Sequence, residues 1–444
     1  MSKPDADPRE PPESSSRAAS ASPISPTIAA PSSPAAAPGD PAESLAELRG
    51  VLRLAGAGIA AAATVTEDMH RAIASKPFRL LAHVPAVDVA RRIHDGVRGG
   101  VYACVRGVSR GVFAVVDGVL AHGGDVLRPR TRLPGPLVGL LQGVVGDHIA
   151  RERNPLASTM QLRHAGRPLA LTREALAAAF PDAGPRPTVL VHGLAADESC
   201  WQLGSNKAWG RPGLDYGSLL AERRGVTPLY LRYNSGLHIA DNGRALAALL
   251  AELTLAWPVP LQHLNLIGHS MGGLVVRSAC HHGQLAQAPW TRQVRDVVCL
   301  GAPQRGAVLE QFGASAVGAL ACFDVTAPIA RAIDARSAGI KDLRHGTIAD
   351  ATADATAASP AHASEQWLPG ARYHDLAGTL GGPGHPLGWA LGDGLVRPSS
   401  ATPERGRTRP ELAPGSTTRL AGVGHLAMLS HPDVLAWLEA ALAD

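Results

Sequence analysis

The chain has 444 residues, a formal net charge of +4 and 18% charged residues, length enough for one large domain and a smaller companion. So small a charge spread over this length excludes a dedicated nucleic-acid binder. The five cysteines, Cys104, Cys200, Cys280, Cys299 and Cys322, are odd in number, widely spaced and without a C-x-x-C, which excludes a disulfide framework and a zinc site and leaves buried, inert thiols as the expectation.

Residues 1 to about 43 are rich in Pro, Ala and Ser and carry almost no large apolar side chains. Such a segment cannot bury enough surface to offset chain entropy, so it is predicted to be a disordered tail. It holds no signal-peptide h-region. From 44 to 150 the pattern is helical. Leu45, Leu48, Val51, Leu52 and Leu54 open one helix, and 84–97 and 101–120 read as two more. Arg91, Arg92, Arg98, Arg106 and Arg110 interleave these stripes as a solvated basic face, or as a basic amphipathic surface that gives peripheral contact with anionic lipid. The most lipid-like run, Leu54 to Val65, is shorter than the ~20 residues of a bilayer span. The expectation is a soluble, cytoplasmic protein.

From about 160 the texture changes to alternating strands and helices. Strands are predicted at Pro187–Val191, Leu229–Tyr233, Leu264–Ile267, Val294–Leu300, Arg372–Leu376 and Thr418–Val423, with a helix at Gly243–Trp257. Strands alternating with helices specify a mainly parallel α/β sheet covered on both faces, here over 160–444. Residues 305–370 interrupt the rhythm with an Ala-rich helical stretch and a near-low-complexity run, Ala349 to Ala363. An insertion this long is read either as a lid or as a packed element without a gating role.

The chemistry concentrates after the third of these strands. Leu264 to Ile267 runs into Gly268-His269-Ser270-Met271-Gly272, and an apolar run with helical spacing follows at once. That is the strand–turn–helix setting of a nucleophile elbow. A Cβ at Gly268 or Gly272 would crowd the neighbouring backbone of so tight a turn. A second pentapeptide, Gly107-Val108-Ser109-Arg110-Gly111, has no strand before it, and Ser109 reads as an ordinary helix residue. A serine needs a base and a group to orient that base. In chain order the acid and then the histidine follow the serine. Asp393, between two glycines after the Arg372–Leu376 strand, is the candidate acid; Asp375 lies inside the strand, and Asp296 sits at the wrong end of its own. His425 directly follows the last strand and precedes the C-terminal helix, whereas His374 and His385 do not follow both Asp393 and a strand. The oxyanion hole needs two backbone N–H groups. Met271, after the nucleophile, supplies one, and Leu194, in the loop after the first strand, supplies the other. His192, which can also be read as a second base, is expected to support that loop, whose backbone does the work.

On these pieces the chain resembles an α/β-hydrolase of the lipase/esterase kind. It is similar to bacterial triacylglycerol lipases and to the PGAP-like inositol-deacylase branch. The matching residues are Val191-His192-Gly193-Leu194, Tyr233-Asn234-Ser235-Gly236-Leu237-His238, Gly268 to Gly273, Leu300-Gly301-Ala302-Pro303, Gly392 to Val396 and Gly424-His425. The resemblance implies an α/β-hydrolase fold, Ser270 as nucleophile, Asp393 as triad acid, His425 as base, and Leu194 and Met271 as oxyanion donors. Two departures stand out: Gln304-Arg305 replaces a histidine after the Gly-x-Pro, which is expected to alter the pocket edge, and Leu426-Ala427-Met428 gives calcium no acidic ligand. The implied activity is carboxylic-ester hydrolysis of an acyl ester or lipid without cofactor or metal. The alternatives are an acyltransferase with the same triad and a non-catalytic binding or scaffold protein.

Overall fold

The computed structural model describes residues 41–80, 85–122, 135–306, 337–349, 367–381, 392–402 and 415–443. Most of the tail predicted for 1–43 and most of the 305–370 insertion, including 350–363, lie outside the described residues.

Two long helices open the described chain, α1 (Pro41–Leu80) and α2 (Pro85–His122), followed by α3 (Gly135–Arg151). Helix α1 begins at Pro41, inside the segment read as tail. Helix α2 is continuous where the sequence predicts two helices. Gly99 and Gly100 each cost about 1 kcal/mol in helix propensity, but packing along α1 outweighs that. Asp117 receives Arg49 at 2.7 Å and Arg53 at 2.6 Å, and Glu67 receives Arg106 at 2.5 Å. The two guanidiniums lower the Asp117 carboxyl to about 2. Arg106 therefore points inward to an ion pair rather than into the predicted basic face, while Arg91, Arg92 and Arg110 are exposed. Ser109 lies within α2.

The sheet follows. A hairpin of β1 (Gln161–His164) and β2 (Arg167–Pro168), too short to register in the sequence pattern, leads through α4 (Arg173–Ala179) to β3 (Pro187–Val191). Helices α5 (Ser205–Trp209) and α6 (Tyr216–Arg224) connect it to β4 (Thr227–Arg232). Helix α7 (Ile239–Ala256) leads to β5 (Leu264–His269), and α8 (Met271–Leu285) to β6 (Val294–Leu300). Next come α9 (Ala338–His345), β7 (Arg372–Thr379), α10 (Pro398–Ala401), β8 (Thr417–Ala421) and α11 (Pro432–Ala441). The strand order is β2-β1-β4-β3-β5-β6-β7-β8, with β1 antiparallel to both neighbours and β3 to β8 parallel.

The central strands β3 and β5 are buried at every residue, as continuous apolar runs covered on both faces require. Successive residues serve opposite layers. Val189, Val191 and Leu266 pack with Leu246, Leu250 and Leu253 of α7 and Leu274 of α8. Leu190, Ile267 and Val298 pack on the other face with Leu219 and Leu220 of α6 and Val434, Leu435 and Leu438 of α11. Helix α6 starts on a capping box between Asp215 and Ser218 and stops at Gly225, whose φ is +62°. The described part of the 305–370 insertion is packed: α9 is capped by Ser337, Leu343 and Ile348 join the core, and Ser278 Oγ donates to the Ile348 carbonyl at 2.6 Å.

Leu250 is fully buried and Leu255, on the same helix, is 83% exposed. Leu250→Ala is expected to lower the unfolding free energy by about 2–5 kcal/mol, and Leu255→Ala to stay within about 0.5 kcal/mol. Urea midpoints of the two variants measure the difference.

Candidate active site

Strand β5 delivers Ser270 to the carboxyl edge of the sheet. Ser270 itself is not helical: its φ of +54° and ψ of −125° place it in a strained, left-handed turn between β5 and α8. Neighbouring backbone explains the glycines. A Cβ on Gly268 would strike the Gly273 amide and Gly272 carbonyl, and one on Gly272 would strike the Val191 and His192 carbonyls. The Ser270 amide donates to the Leu300 carbonyl at 2.8 Å, fixing the turn to β6.

His425 and Asp393 arrive from the loops around β8 and β7. His425 Nδ1–H donates to Asp393 Oδ2 at 2.7 Å, and both side chains are buried. Asp393 Oδ1 accepts the Leu395 and Val396 amides at 3.0 and 2.8 Å, and the Asp393 carbonyl accepts the His425 amide at 3.0 Å. Gly392 and Gly394, with φ of +59° and +101°, make the bend that turns this carboxylate inward.

Asp375 and Asp296 have other partners. Asp375 accepts Gln304 Nε2 at 2.6 Å, and Gln304 Oε1 accepts Arg277 Nη1 at 2.8 Å. Gln304 was expected to alter the pocket edge; instead it is buried as the bridge of this polar chain, because a carboxylate and a guanidinium inside the core both need a partner. Asp296 pairs with Arg372 at 2.7 Å and with His374 at 3.0 Å. His385 lies outside the described residues.

Two further histidines frame the site. His269 Nε2–H donates to the His425 carbonyl at 3.1 Å, and the two rings lie 4.8 Å apart. Its position before the serine was visible in the sequence, but its partner, 156 residues away, was not. His192 is fully buried and stacks on Tyr233 at 4.3 Å. Its Nδ1–H donates to the Gly193 carbonyl at 2.9 Å. The Gly193 C=O and Leu194 N–H share one trans peptide and point in opposite directions, so this bond also sets where the Leu194 N–H points. His192 thus braces the loop backbone.

Ser270, His425, Leu194, Gly193 and His269 line one cavity of about 440 Å³. Its remaining walls are chiefly apolar, among them Leu203, Leu343, Leu395, Val396, Leu426 and Leu429. Met271 is buried at the start of α8, one residue past the elbow. Ser270, Asp393, His425, Leu194 and Met271 therefore converge at the carboxyl ends of β3, β5, β7 and β8.

Burial lowers the His192 ring to about 4 and the His269 ring to about 3, by excluding the charged imidazolium. The unfolded chain protonates both near pH 6.5. Below that pH the unfolded state binds more protons, so the stability is complete above about 6.5 and falls as pH drops toward 4 and 3, by about 1.4 kcal/mol per pH unit per ring. Urea unfolding at pH 7, 6 and 5 is expected to show this decline, and His269→Gln to remove one ring's share of the slope.

Residues 256–361 match the family described as PGAP1-like alpha/beta domain. Among solved structures the chain is similar to Bacillus licheniformis lipase BlEst2 in mature form, with 22% identity, a TM-score of 0.36 and coverage of 57% of this chain and 91% of that one. It is also similar to phospholipase PlaB from Legionella pneumophila, with 14% identity, a TM-score of 0.36 and coverage of 59% and 60%. An alpha/beta hydrolase fold protein from Chitinophaga pinensis gives 12% identity, a TM-score of 0.32 and coverage of 58% and 89%. No curated protein matches. The order of the sheet and the serine turn after β5 give this chain an α/β-hydrolase fold, and residues 256–361 are similar to the PGAP1-like alpha/beta domain.

Proposed function

We propose that the protein is a serine carboxylic-ester hydrolase working through an acyl-enzyme. The observation that carries this reading is the shared apolar cavity of Ser270, held in a strained turn, and His425, held by Asp393.

Ser270 Oγ attacks the ester carbonyl as His425 Nε2 takes its proton. The Leu194 and Met271 amides donate to the oxyanion of the tetrahedral intermediate. His425 returns the proton to the leaving alcohol, and the acyl group stays on Ser270. Water then attacks, with His425 again as base, and the carboxylic acid leaves. Asp393 keeps the Nδ1 proton in place and stabilises the imidazolium formed in each half-reaction. Because two backbone amides already fill Asp393 Oδ1, Oδ2 is left for the histidine. The leucine-lined walls favour an apolar acyl group, which would leave water for the protein surface without an ion-pair partner to find.

A fluorophosphonate probe is expected to label the wild-type protein and not Ser270→Ala, and Ser270→Ala is expected to lose p-nitrophenyl ester turnover by a factor of about 10⁴ or more. Ser109→Ala retains wild-type turnover. Failure of the wild type to label or turn over any ester in a chain-length series would leave a binding or scaffold role in its place.

Asp393→Asn keeps the shape of the acid and removes its charge. Its expected cost is about 10⁴ in kcat, whereas Asp375→Asn perturbs the Gln304 bridge and is expected to act mainly on stability. The assignment of the acid is overturned if Asp375→Asn is the variant that loses kcat.

A further inference from the structure

The loop that carries Leu194 is held from outside itself. Ala195, the next residue, has a φ of +57°, unusual for a residue with a Cβ. Its amide donates to Ser235 Oγ at 3.0 Å. Ser235 is fully buried and follows β4 by three residues. The same stretch makes further bonds to the loop: Tyr233 Oη donates to the His192 carbonyl at 2.9 Å, and Arg232 Nη2 donates to Asp197 Oδ2 at 3.0 Å.

Helix α3 closes the opposite side. Gly139 and Gly143, one turn apart, face the loop. A Cβ at Gly143 would lie 2.5 Å from Ala195 Cα, and one at Gly139 would lie 2.6 Å from the Ala196 carbonyl carbon. Asn234 ties the two supports together, donating from Nδ2 to the Gly146 carbonyl at 2.9 Å.

We propose that Ser235 is a positioning residue for the oxyanion hole, holding Ala195 in its left-handed conformation against the glycine face of α3 so that the Leu194 amide stays aimed at the reacting carbonyl. This rests on the reading of Ser270 as the acyl-transfer nucleophile. Two planes define the Leu194 donor. His192 fixes the Gly193–Leu194 peptide and Ser235 fixes the Leu194–Ala195 peptide, so rotation about Leu194 is restrained from both ends. Without the hydroxyl, the Ala195 amide has lost its acceptor and the left-handed turn its tether. Ser235 touches neither substrate nor nucleophile and acts through the backbone of Ala195.

The test uses the full chain and counts only competent sites. Wild type, Ser235→Ala, Ser235→Cys and Gly143→Ala are titrated with a fluorophosphonate, then assayed on one p-nitrophenyl ester and for inhibition by an alkyl boronic acid, whose serine adduct is tetrahedral. Gly58→Ala is the control, since a Cβ there meets nothing within 4 Å. Both Ser235 variants and Gly143→Ala are expected to lose about 10- to 100-fold in kcat per titrated site, with KM changed by less than about 3-fold. Boronate affinity is expected to fall by the same factor as kcat. A hydroxyl with a merely structural role would lower the titratable fraction or the unfolding midpoint and leave kcat per site unchanged. That result, or lost kcat with unaltered boronate affinity, overturns the proposal. If neither Ser235 variant folds, Gly143→Ala decides by the same readouts. A wild type whose Ser270 is not labelled overturns the hydrolase reading and this proposal together, whereas a labelled wild type with unaffected variants overturns this proposal alone.

Discussion

A single backbone conformation governs the site: the left-handed turn of Ser270 at the end of β5. A side chain is rarely stable there, and this one persists because the surroundings leave the chain no other course. Strand β5 is buried along its whole length, α8 begins at the next residue, and Gly268 and Gly272 admit backbone where a side chain would collide. Strain of this kind is tolerated only when the rest of the structure over-determines it. The two packed layers of the sheet do so, with α7 and α8 on one face and α6 and α11 on the other.

Around that turn, each polar group is oriented by a neighbour that is itself restrained. Asp393 is held by two amides, His425 by Asp393 on its ring and by His269 on its carbonyl, and the loop after β3 by residues that follow β4. The buried histidines serve this scheme as neutral rings, each supplying an N–H to a main-chain carbonyl. Desolvation, which keeps them uncharged, also keeps each ring's second nitrogen free of a proton, so they brace without adding charge near the serine.

Much of this was legible in the sequence, for physical reasons that differ by element. The strands β3 and β6 are apolar runs bounded by turn residues, and their limits follow from the pattern, whereas β5 starts at Leu264 as predicted but runs to His269 rather than Ile267. Val294–Leu300 is found as predicted. The elbow was legible because a strand, a tight glycine turn and a helix in succession admit few other structures. Strand β8 ends at Ala421 rather than at Val423, and α7 begins at Ile239 rather than at Gly243, since end positions depend on local hydrogen bonds rather than on periodicity. The hairpin of β1 and β2 was illegible at four and two residues. The continuity of α2 was hidden by its glycines, whose cost is met by a partner helix the one-dimensional pattern does not reveal. The contribution of Ser235 and of α3 was hidden for the same reason: a hydroxyl 40 residues from its amide and a glycine stripe facing a loop have no local signature.

Strand β8 lies at one end of the described sheet, bonded to β7 alone, and its residues alternate between exposed and half-buried. Its terminus leads within four residues to His425. Edge segments with few buried contacts open at lower free energy than the centre of a sheet. His425 is therefore mounted beside an edge strand, while Ser270 stands at the end of a buried central one. On warming, the amides of β8 are expected to exchange before those of the central strands, so the support of His425 loosens while the turn at Ser270 is still held.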